Sequence, residues 1–134
     1  MEITVVLAGN GDREHISSHR RASEAEGRSY RGHLDPQPAS EMRFAVVRLD
    51  GENVGSVGFV DTSTTRELGH LYVVPECREV GAGDALLQWV IDDARNKGLS
   101  SVRASALPGD RATKNLFERH GLIARAIQVE KKLG

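Results

Sequence analysis

The sequence predicts a single α/β domain built on a mixed, mostly antiparallel central sheet that is flanked by helices. Three strand-like runs follow one another through short polar turns, which is typical of an antiparallel meander. These runs are residues 42–49, 54–60 and 67–74. A run with helical spacing at 84–97 then precedes a fourth strand-like run at 101–107, and such a crossover makes the third and fourth strands parallel. The 134 residues suit one domain with one core, predicted over 1–134.

The first part of the chain predicts one strand and a polar helical region. Residues 3–7 form a β-branched run that indicates a strand. Residues 12–34 contain many helix formers but few apolar positions, so we expect one or two loosely packed helices with a break near Gly27. Asp12 is the expected helix cap. Two prolines then predict a loop over 33–38.

The middle of the chain predicts the centre of the sheet. Residues 42–49 are apolar at both odd-numbered and even-numbered positions, which indicates a strand buried on both faces. Asp50-Gly51 opens the hairpin connection to the next strand. Pro75 ends the third strand of the meander.

The last part predicts two helices and two further strand regions. The helix at 84–97 is expected to stop at Gly98, because glycine readily ends a helix. Asp110 is the predicted N-cap of a short helix at 112–120. Residues 122–133 are strand-like and predict one or two short strands.

Composition narrows the classes of function. The formal net charge is −1, which gives no global attraction to nucleic acid or to a membrane. The single cysteine, Cys77, cannot form an internal disulfide and fits a reducing compartment. No secretory leader and no apolar run of membrane-spanning length is evident, so a cytoplasmic location without a membrane partner is expected.

The segment 74–83, with the sequence VPECREVGAG, carries the clearest functional signal. It joins a strand to a helix, and the glycines at Gly81 and Gly83 allow a ligand to approach the backbone closely. The first N–H groups and the dipole of the following helix favour an anion there, typically a phosphate, and Arg78 adds a cation. No Lys-Ser or Lys-Thr follows Gly83, and residue 86 is Leu, so neither a P-loop nor a dinucleotide fingerprint fits.

The remaining pattern, Arg78-x-x-Gly81-x-Gly83, resembles the acetyl-CoA pyrophosphate loop of the GCN5-related N-acetyltransferase (GNAT) family. The preceding run 71–75 and the late segment 115–122, with the sequence NLFERHGL, also resemble that family. The similarity extends over about residues 67–122, and the order of predicted elements is also the family's. The resemblance implies the GNAT fold, with acetyl-CoA as co-substrate and no metal.

The resemblance also implies a set of cofactor contacts. The backbone of Val73 and Val74 would hydrogen-bond the pantetheine arm, and the N–H groups of the loop would face the pyrophosphate. The carboxylate of Glu79 would then have to point outward, because it would repel the phosphates. The cofactor-binding residues predicted in this way are Val73, Val74, Arg78, Glu79, Val80, Gly81, Ala82, Gly83, Asp84, Asn115 and Phe117.

Two residues are candidates for the general base. Glu67 lies eleven residues before Arg78, the position at which histone-acetylating members of the family carry a catalytic glutamate. It could accept a proton directly or through a water, or it could be an ordinary solvated strand residue. His70 has an ordinary pKa near 6.5 that suits proton transfer, but a structural role is its alternative. Strand alternation puts His70 on the opposite face from Glu67 unless a bulge intervenes, as it often does in this family.

Other chemistries find less support. Phe117 stands where many members of the family have a tyrosine that acts as the general acid, so this role is absent or filled by another group. Cys77 has no relay beside it that would support a covalent route. His15 and His19 are spaced for one helix face, but no third ligand is evident, and no metal site is predicted.

We therefore expect an acetyl-CoA-dependent N-acetyltransferase that transfers the acetyl group directly to an amine of a small molecule or a protein. The alternative is a non-catalytic acyl-CoA-binding or sensing module of the same fold. An open cavity beside Glu67 or His70 would favour the enzyme. Docking of nucleic acid on the basic segment around 15–33 conflicts with the near-neutral net charge. A homodimer that uses the C-terminal strands is left open by analogy alone.

Overall fold

A computed structural model describes residues 1–35 and 41–134 and contains a five-stranded sheet in the order β1-β2-β3-β4-β5. Neighbouring strands from β1 to β4 are antiparallel, and β5 is parallel to β4. The mixed, mostly antiparallel sheet predicted from the sequence is therefore confirmed. The strands are β1 Ile3–Leu7, β2 Arg43–Leu49, β3 Glu52–Asp61, β4 Thr65–Val73 and β5 Ser101–Arg103.

Within the described residues, three α-helices flank this sheet. They are α1 Arg13–Gly27, α2 Ala82–Asn96 and α3 Arg111–Arg119. Short 3₁₀ turns at Asn10–Asp12 and Pro75–Val80 lead into α1 and α2. Helix α1 ends at the predicted Gly27, and Asp110 caps α3 as predicted by accepting a hydrogen bond from the Thr113 N–H at 3.1 Å.

The face of the sheet under α2 and α3 holds the hydrophobic core. Apolar side chains of β2, β3 and β4 alternate onto this face and meet the apolar stripe of α2. The central residues of β2 are buried on both faces, as predicted. The core residues include Ala45, Val47, Val57, Phe59, Leu68, Val73, Leu86, Leu87, Val90, Leu116 and Phe117.

The hairpin between β2 and β3 has the predicted Asp-Gly turn. Asp50 has a φ of 50° and Gly51 a φ of 88°, so both residues of the two-residue loop adopt the left-handed region. That combination matches the twist of an antiparallel pair and is favoured by Asp-Gly. It sets the register in which β3 pairs with β2, with Leu49 opposite Glu52.

The other face of the sheet is covered by α1, which packs against β3 and β4. Asp12 precedes α1, but the predicted side-chain cap is wrong, because its carboxylate accepts from the Gly9 N–H at 3.0 Å instead. Arg48 and Asn53 also donate to Asp12, both at 3.3 Å. These bonds hold the start of α1 against the hairpin end of the sheet.

Two of the predicted strands are corrected by the structure. Strand β5 ends at Arg103, whereas the sequence predicted a strand to residue 107. Residues 122–134 form neither helix nor strand, so the strands predicted at 122–133 are wrong. Their apolar side chains, Ile123, Ile127, Val129 and Leu133, are 84 to 90% exposed. A strand needs a neighbour to complete its hydrogen bonds, and the three-residue β5 offers too short an edge. The predicted loop at 33–38 lies partly outside the described residues.

Candidate functional site

A cleft opens where β4 and β5 separate. The parallel pairing runs only from Thr65–Ser101 to Glu67–Arg103, while β4 continues to Val73. From residue 68 onward, the edge of β4 that faces β5 has no strand neighbour in the described part of the chain. Backbone N–H and C=O groups along this edge can therefore pair with an extended ligand as with an added strand.

The N-terminus of α2 closes one end of this cleft. Gly81 adopts a left-handed conformation with a φ of 90°, which turns the chain from the 3₁₀ segment into α2. The Ala85 N–H donates to the Gly81 carbonyl at 3.0 Å and closes the first helical turn. The N–H groups of Ala82, Gly83 and Asp84 precede that bond, so helix geometry presents them to an anion. The helix begins two residues before its predicted start.

Arg78 lies beside this loop, but its guanidinium reaches back to the sheet and α1. Its Nε donates to the Val73 carbonyl at 2.8 Å, and its Nη2 pairs with the Glu26 carboxylate at 2.5 Å. Burial alone would lower the pKa of Arg78, but the hydrogen bond and charge of Glu26 outweigh it and raise the pKa. The anion donors of the loop are thus mainly backbone N–H groups.

The predicted pantetheine contacts have partners inside the protein. The Val73 carbonyl already accepts from Arg78, and the Val74 N–H donates to the Val54 carbonyl at 2.9 Å. A carbonyl oxygen has two lone pairs, so Val73 can accept a second bond. Glu79 is exposed beside the loop, as its expected outward orientation requires.

Asp84 in the first turn of α2 binds the end of α3. Its Oδ1 accepts from His120 Nε2 at 2.8 Å and from Arg119 Nη2 at 3.2 Å. Burial would raise the pKa of Asp84, but the bonds from His120 and Arg119 dominate and lower it. The carboxylate is therefore paired within the protein, a role that the sequence did not predict.

The other two predicted cofactor residues lie on α3. Asn115 is exposed there, whereas Phe117 is only 9% exposed and packs within the core. Leu116 lies beside Gly83, since a Cβ added to that glycine would sit 3.6 Å from the Leu116 side chain. Helix α3 thus packs directly behind the α2 end of the cleft.

A bulge in β4 brings the two candidate bases to one face. Leu71 pairs with Val57 and Leu68 with Phe59, so two residues of β4, Gly69 and His70, oppose a single residue of β3. The extra residue shifts the side-chain alternation of the strand. Directly paired residues project to the same face, and Glu67 pairs with Val60. Glu67, Gly69, His70 and Tyr72 therefore all face α1.

Glu67 lies at the point where β4 and β5 separate. Its side chain is 40% exposed and lies 3.8 Å from Arg103 on the neighbouring strand. It lines an open cavity of about 400 Å³, so a solvent-borne amine can reach the carboxylate. The other residues that line this cavity are Val60, Thr62, Thr64, Thr65 and Arg103.

His70 belongs to a buried polar chain that the sequence analysis missed. Its Nε2 lies 2.8 Å from Ser56 Oγ, and the same oxygen lies 2.8 Å from His19 Nδ1 on α1. Burial, with smaller contributions from Arg20 and His19, lowers the pKa of His70 to about 3, so the ring is neutral at neutral pH. The signal in the sequence was a serine at the centre of an otherwise apolar strand.

A fully buried arginine anchors the start of β4 beside Glu67. Arg66 pairs with Asp61 at 2.8 Å and Asp93 at 2.9 Å, and it donates to the Val90 carbonyl at 2.9 Å. Burial would lower the pKa of Arg66, but the two carboxylates raise it. This cluster ties β4 to α2 and fixes the position from which the cleft opens.

Across residues 1–35 and 41–134, no helix is long and apolar enough to span a membrane. Within the same ranges, no three His, Cys, Asp or Glu side chains are grouped so that they could hold a metal ion.

Comparison with known proteins identifies the family. The profile of the Acetyltransferase (GNAT) family matches residues 13–122, which is most of the chain. The chain belongs to the GNAT family. This confirms the resemblance seen in the loop and in the late segment of the sequence.

Individual proteins of known family are similar to this chain in sequence or in fold. The chain is 33% identical over 89 residues to a Xenopus tropicalis protein named "Probable N-acetyltransferase camello", a match that spans 64% of this chain and 41% of that protein. A ribosomal-protein-alanine N-acetyltransferase from Brucella melitensis biovar Abortus 2308 superimposes with a TM-score of 0.75 at 19% identity, covering 99% of this chain and 100% of the other.

An aminoglycoside N-acetyltransferase, AAC(6')-Iy, solved in complex with CoA, has the same fold. It superimposes with a TM-score of 0.71 at 18% identity, covering 97% of this chain and 100% of the other. At these identities the solved structures establish the fold alone, and they confirm the GNAT-like architecture predicted from the sequence.

Proposed function

We propose that residues 1–134 of this GNAT protein form one acetyltransferase domain that transfers the acetyl group of acetyl-CoA directly to an amine. The observation that carries this proposal is the continuity of the cleft with the N-terminus of α2. The six residues of the open edge, from Leu68 to Val73, span about 20 Å at 3.3 Å per residue. This edge suits an extended ligand with a thioester at one end and phosphates at the other.

In this arrangement, the loop and α2 bind the cofactor. The N–H groups of Ala82, Gly83 and Asp84 receive the pyrophosphate, and the edge of β4 up to Val73 and Val74 binds the pantetheine arm. The internal partners of Asp84 help here, because the charge of Arg119 and the hydrogen bond from His120 reduce the repulsion between its carboxylate and phosphate. Arg78 acts mainly as the link between this loop and Glu26 of α1.

Glu67 is the proposed general base. An ammonium group cannot attack a thioester, so the acceptor must first lose a proton, and Glu67 is an accessible carboxylate at the end of the cleft. The free amine then attacks the carbonyl carbon, and the tetrahedral intermediate expels the thiolate. Phe117 cannot protonate that thiolate, so the thiolate leaves unaided. The single cysteine supports a cytoplasmic location for this chemistry.

Thermal unfolding with and without acetyl-CoA tests the binding site. A ligand that binds only the folded state stabilises it by about 2.7 kcal/mol at a hundredfold excess over its dissociation constant. We expect stabilisation of the native protein that is lost in Gly83→Trp, which fills the loop. Gly9→Trp is the matched control, because Gly9 has no neighbour within 4 Å of an added Cβ and lies outside the cleft.

Release of free CoA thiol in a screen of amines then separates the enzyme from a binding module. Thiol release that depends on an amine supports the transferase. Stabilisation by acetyl-CoA without thiol release from any amine would support the non-catalytic acyl-CoA-binding module. An absence of stabilisation at millimolar acetyl-CoA would contradict both.

A further inference from the structure

Three side chains on the α1 face form a continuous hydrogen-bonded chain. Ser56 Oγ lies 2.8 Å from His70 Nε2 and 2.8 Å from His19 Nδ1. A serine hydroxyl has one hydrogen, so it donates to one histidine and accepts from the other. The chain therefore has two arrangements, which differ only in the direction of both hydrogen bonds. Passing one proton along the chain converts one arrangement into the other.

One end of this hydrogen-bonded chain is a nitrogen that has no partner among the described residues. His70 Nδ1 is buried and makes no hydrogen bond to the described residues. Leaving a buried polar atom unpaired costs about 1–3 kcal/mol, and such atoms in native proteins call for an explanation. A group that exchanges protons with a transient ligand has this property in the ligand-free state.

This nitrogen lies beside Gly58, where the missing side chain leaves a space that the Met42 side chain fills. A Cβ added to Gly58 would lie 3.2 Å from His70 Nδ1 and 3.1 Å from the Phe44 ring. The methyl group of Met42 occupies the same space, against Gly58 and Gly69. Methionine is unbranched and adaptable, so a ligand group can displace this methyl more easily than it could displace a ring.

We propose that Ser56 and His19 form a proton relay that carries a proton away from His70 during acetyl transfer. The inference rests on the proposed transferase function and adds two positioning residues to it. Ser56 and His19 are buried and do not touch the reacting atoms; they act through His70.

The acceptor amine loses two protons during the reaction, and the relay would remove the second of them. An ammonium acceptor loses one proton before attack, which Glu67 receives. Attack forms a new C–N bond and a zwitterionic intermediate whose nitrogen carries a second proton to be lost. His70 Nδ1 takes that proton, Nε2–H passes its own to Ser56 Oγ, and the hydroxyl hydrogen moves to His19 Nδ1. His19 then releases its Nε2 proton to solvent water, and the C–S bond breaks to give the amide and the thiolate.

The surroundings of His70 explain why a relay is needed. A positively charged ring is disfavoured there, because the site is buried and Arg20 and His19 on α1 face it. Phe44 of β2 packs against its ring, and His15 and Tyr72 lie beside His19. Concerted transfer through Ser56 leaves no charge on His70 after the step.

His19→Asn separates a relay from a structural role. The asparagine side chain can keep a hydrogen bond to Ser56 Oγ, but it has no second ring nitrogen from which a proton can leave. We expect its kcat to fall about 100-fold at every pH, with an unchanged acetyl-CoA dissociation constant. Ser56→Ala should show the same loss, and the double variant should lose no more than either alone.

The matched control is Val46→Ala. Val46 pairs with Ser56 across the strands and faces the same side of the sheet, but it takes no part in the hydrogen bonds of His19, Ser56 and His70. This variant should lower the melting temperature but leave kcat unchanged. A wild-type rate in His19→Asn, in a protein that is active on an amine, would overturn the relay alone. A wild-type protein that acetylates no amine would overturn the proposed function and the relay with it.

Discussion

The two faces of the sheet bury different chemistry. The face under α2 and α3 is closed mainly by aliphatic and aromatic side chains, such as Phe59 and Leu87. The face under α1 buries Tyr72 together with the hydrogen-bonded groups of His19, Ser56 and His70. Apolar burial is non-directional and stabilises any well-packed arrangement, whereas buried polar groups must be placed to within hydrogen-bond distance.

We therefore expect the apolar face to contribute mainly to stability and the polar face to carry the proposed chemistry. The same strand, β4, supplies Leu68 and Val73 to the apolar face and Glu67 and His70 to the polar face. The bulge at Gly69 and His70 makes this possible, because it returns His70 to the side of Glu67 without exposing Leu71 or Val73 to α1. The variants below should affect stability or activity according to the face that they change.

The largest expected effect belongs to the apolar face. Leu87 is fully buried in α2, so Leu87→Ala should lower the free energy of unfolding by about 3 kcal/mol through lost burial and a residual cavity. Urea denaturation measures this change. Leu7→Ala, at an exposed strand position, is the control and should change stability by less than about 0.5 kcal/mol. Equal effects of the two variants would contradict the assignment of the core.

The next largest effect belongs to the polar face and concerns rate. Glu67→Gln removes the proposed base, and kcat/KM should fall about 100-fold near neutral pH, equivalent to about 2.7 kcal/mol. The loss should shrink as the pH approaches the pKa of the acceptor amine, because the free amine then forms in solution. The melting temperature should change little, since Glu67 is partly exposed. An unchanged pH–rate profile would exclude Glu67 as the base.

An effect that is smaller per pH unit should appear in the pH dependence of stability. The pKa of His70 is lowered by burial to about 3, whereas the unfolded chain binds the same proton near pH 6.5. Below about pH 6.5 the unfolded state therefore holds more protons, and the free energy of unfolding falls as the pH drops, by up to about 1.4 kcal/mol per pH unit from this group. Above that pH its contribution is fully present.

His70→Asn should flatten this slope when unfolding is measured from about pH 4 to pH 8. Part of the slope should persist, because burial also lowers the pKa of His19. A slope identical to that of the wild type would mean that His70 is not held neutral by the fold.

The smallest effect is expected from the C-terminal segment. Residues 122–134 make no helix or strand, and the apolar side chains from Ile123 onward are exposed. Deleting residues 123–134 should change the free energy of unfolding of the monomer by no more than about 0.5 kcal/mol. A loss several times larger, or a change in oligomeric state, would show that this segment is covered in solution.

Local sequence signals predicted most of the fold. The successive apolar runs and the turn chemistry of 42–74 predicted the meander, because an Asp-Gly turn between adjacent apolar runs specifies pairing between neighbours in the sequence. The strand predicted at 122–133 failed for the opposite reason. Its apolar residues indicated burial, but a strand also needs the edge of another strand with which to pair. The length of β5, which would have to offer that edge, cannot be read from residues 122–133.

The site could be predicted in part. The glycines of the loop identified the anion end of the cleft, since they act through the backbone of a contiguous segment. The chain from His19 through Ser56 to His70 joins residues 37 and 14 positions apart, and only the tertiary structure brings them together. The bulge that turns His70 towards α1 depends on register with β3, which single-strand alternation does not contain.

The central claim is that acetyl-CoA lies along the open edge of β4 with its phosphates at the start of α2. Amide hydrogen exchange with and without acetyl-CoA tests this most directly, because it reports protection residue by residue. We predict that added acetyl-CoA slows exchange at residues 68–73 and 82–84 and leaves β1 and β2 unchanged. Protection that is absent from both segments, or confined to α1, would contradict the account.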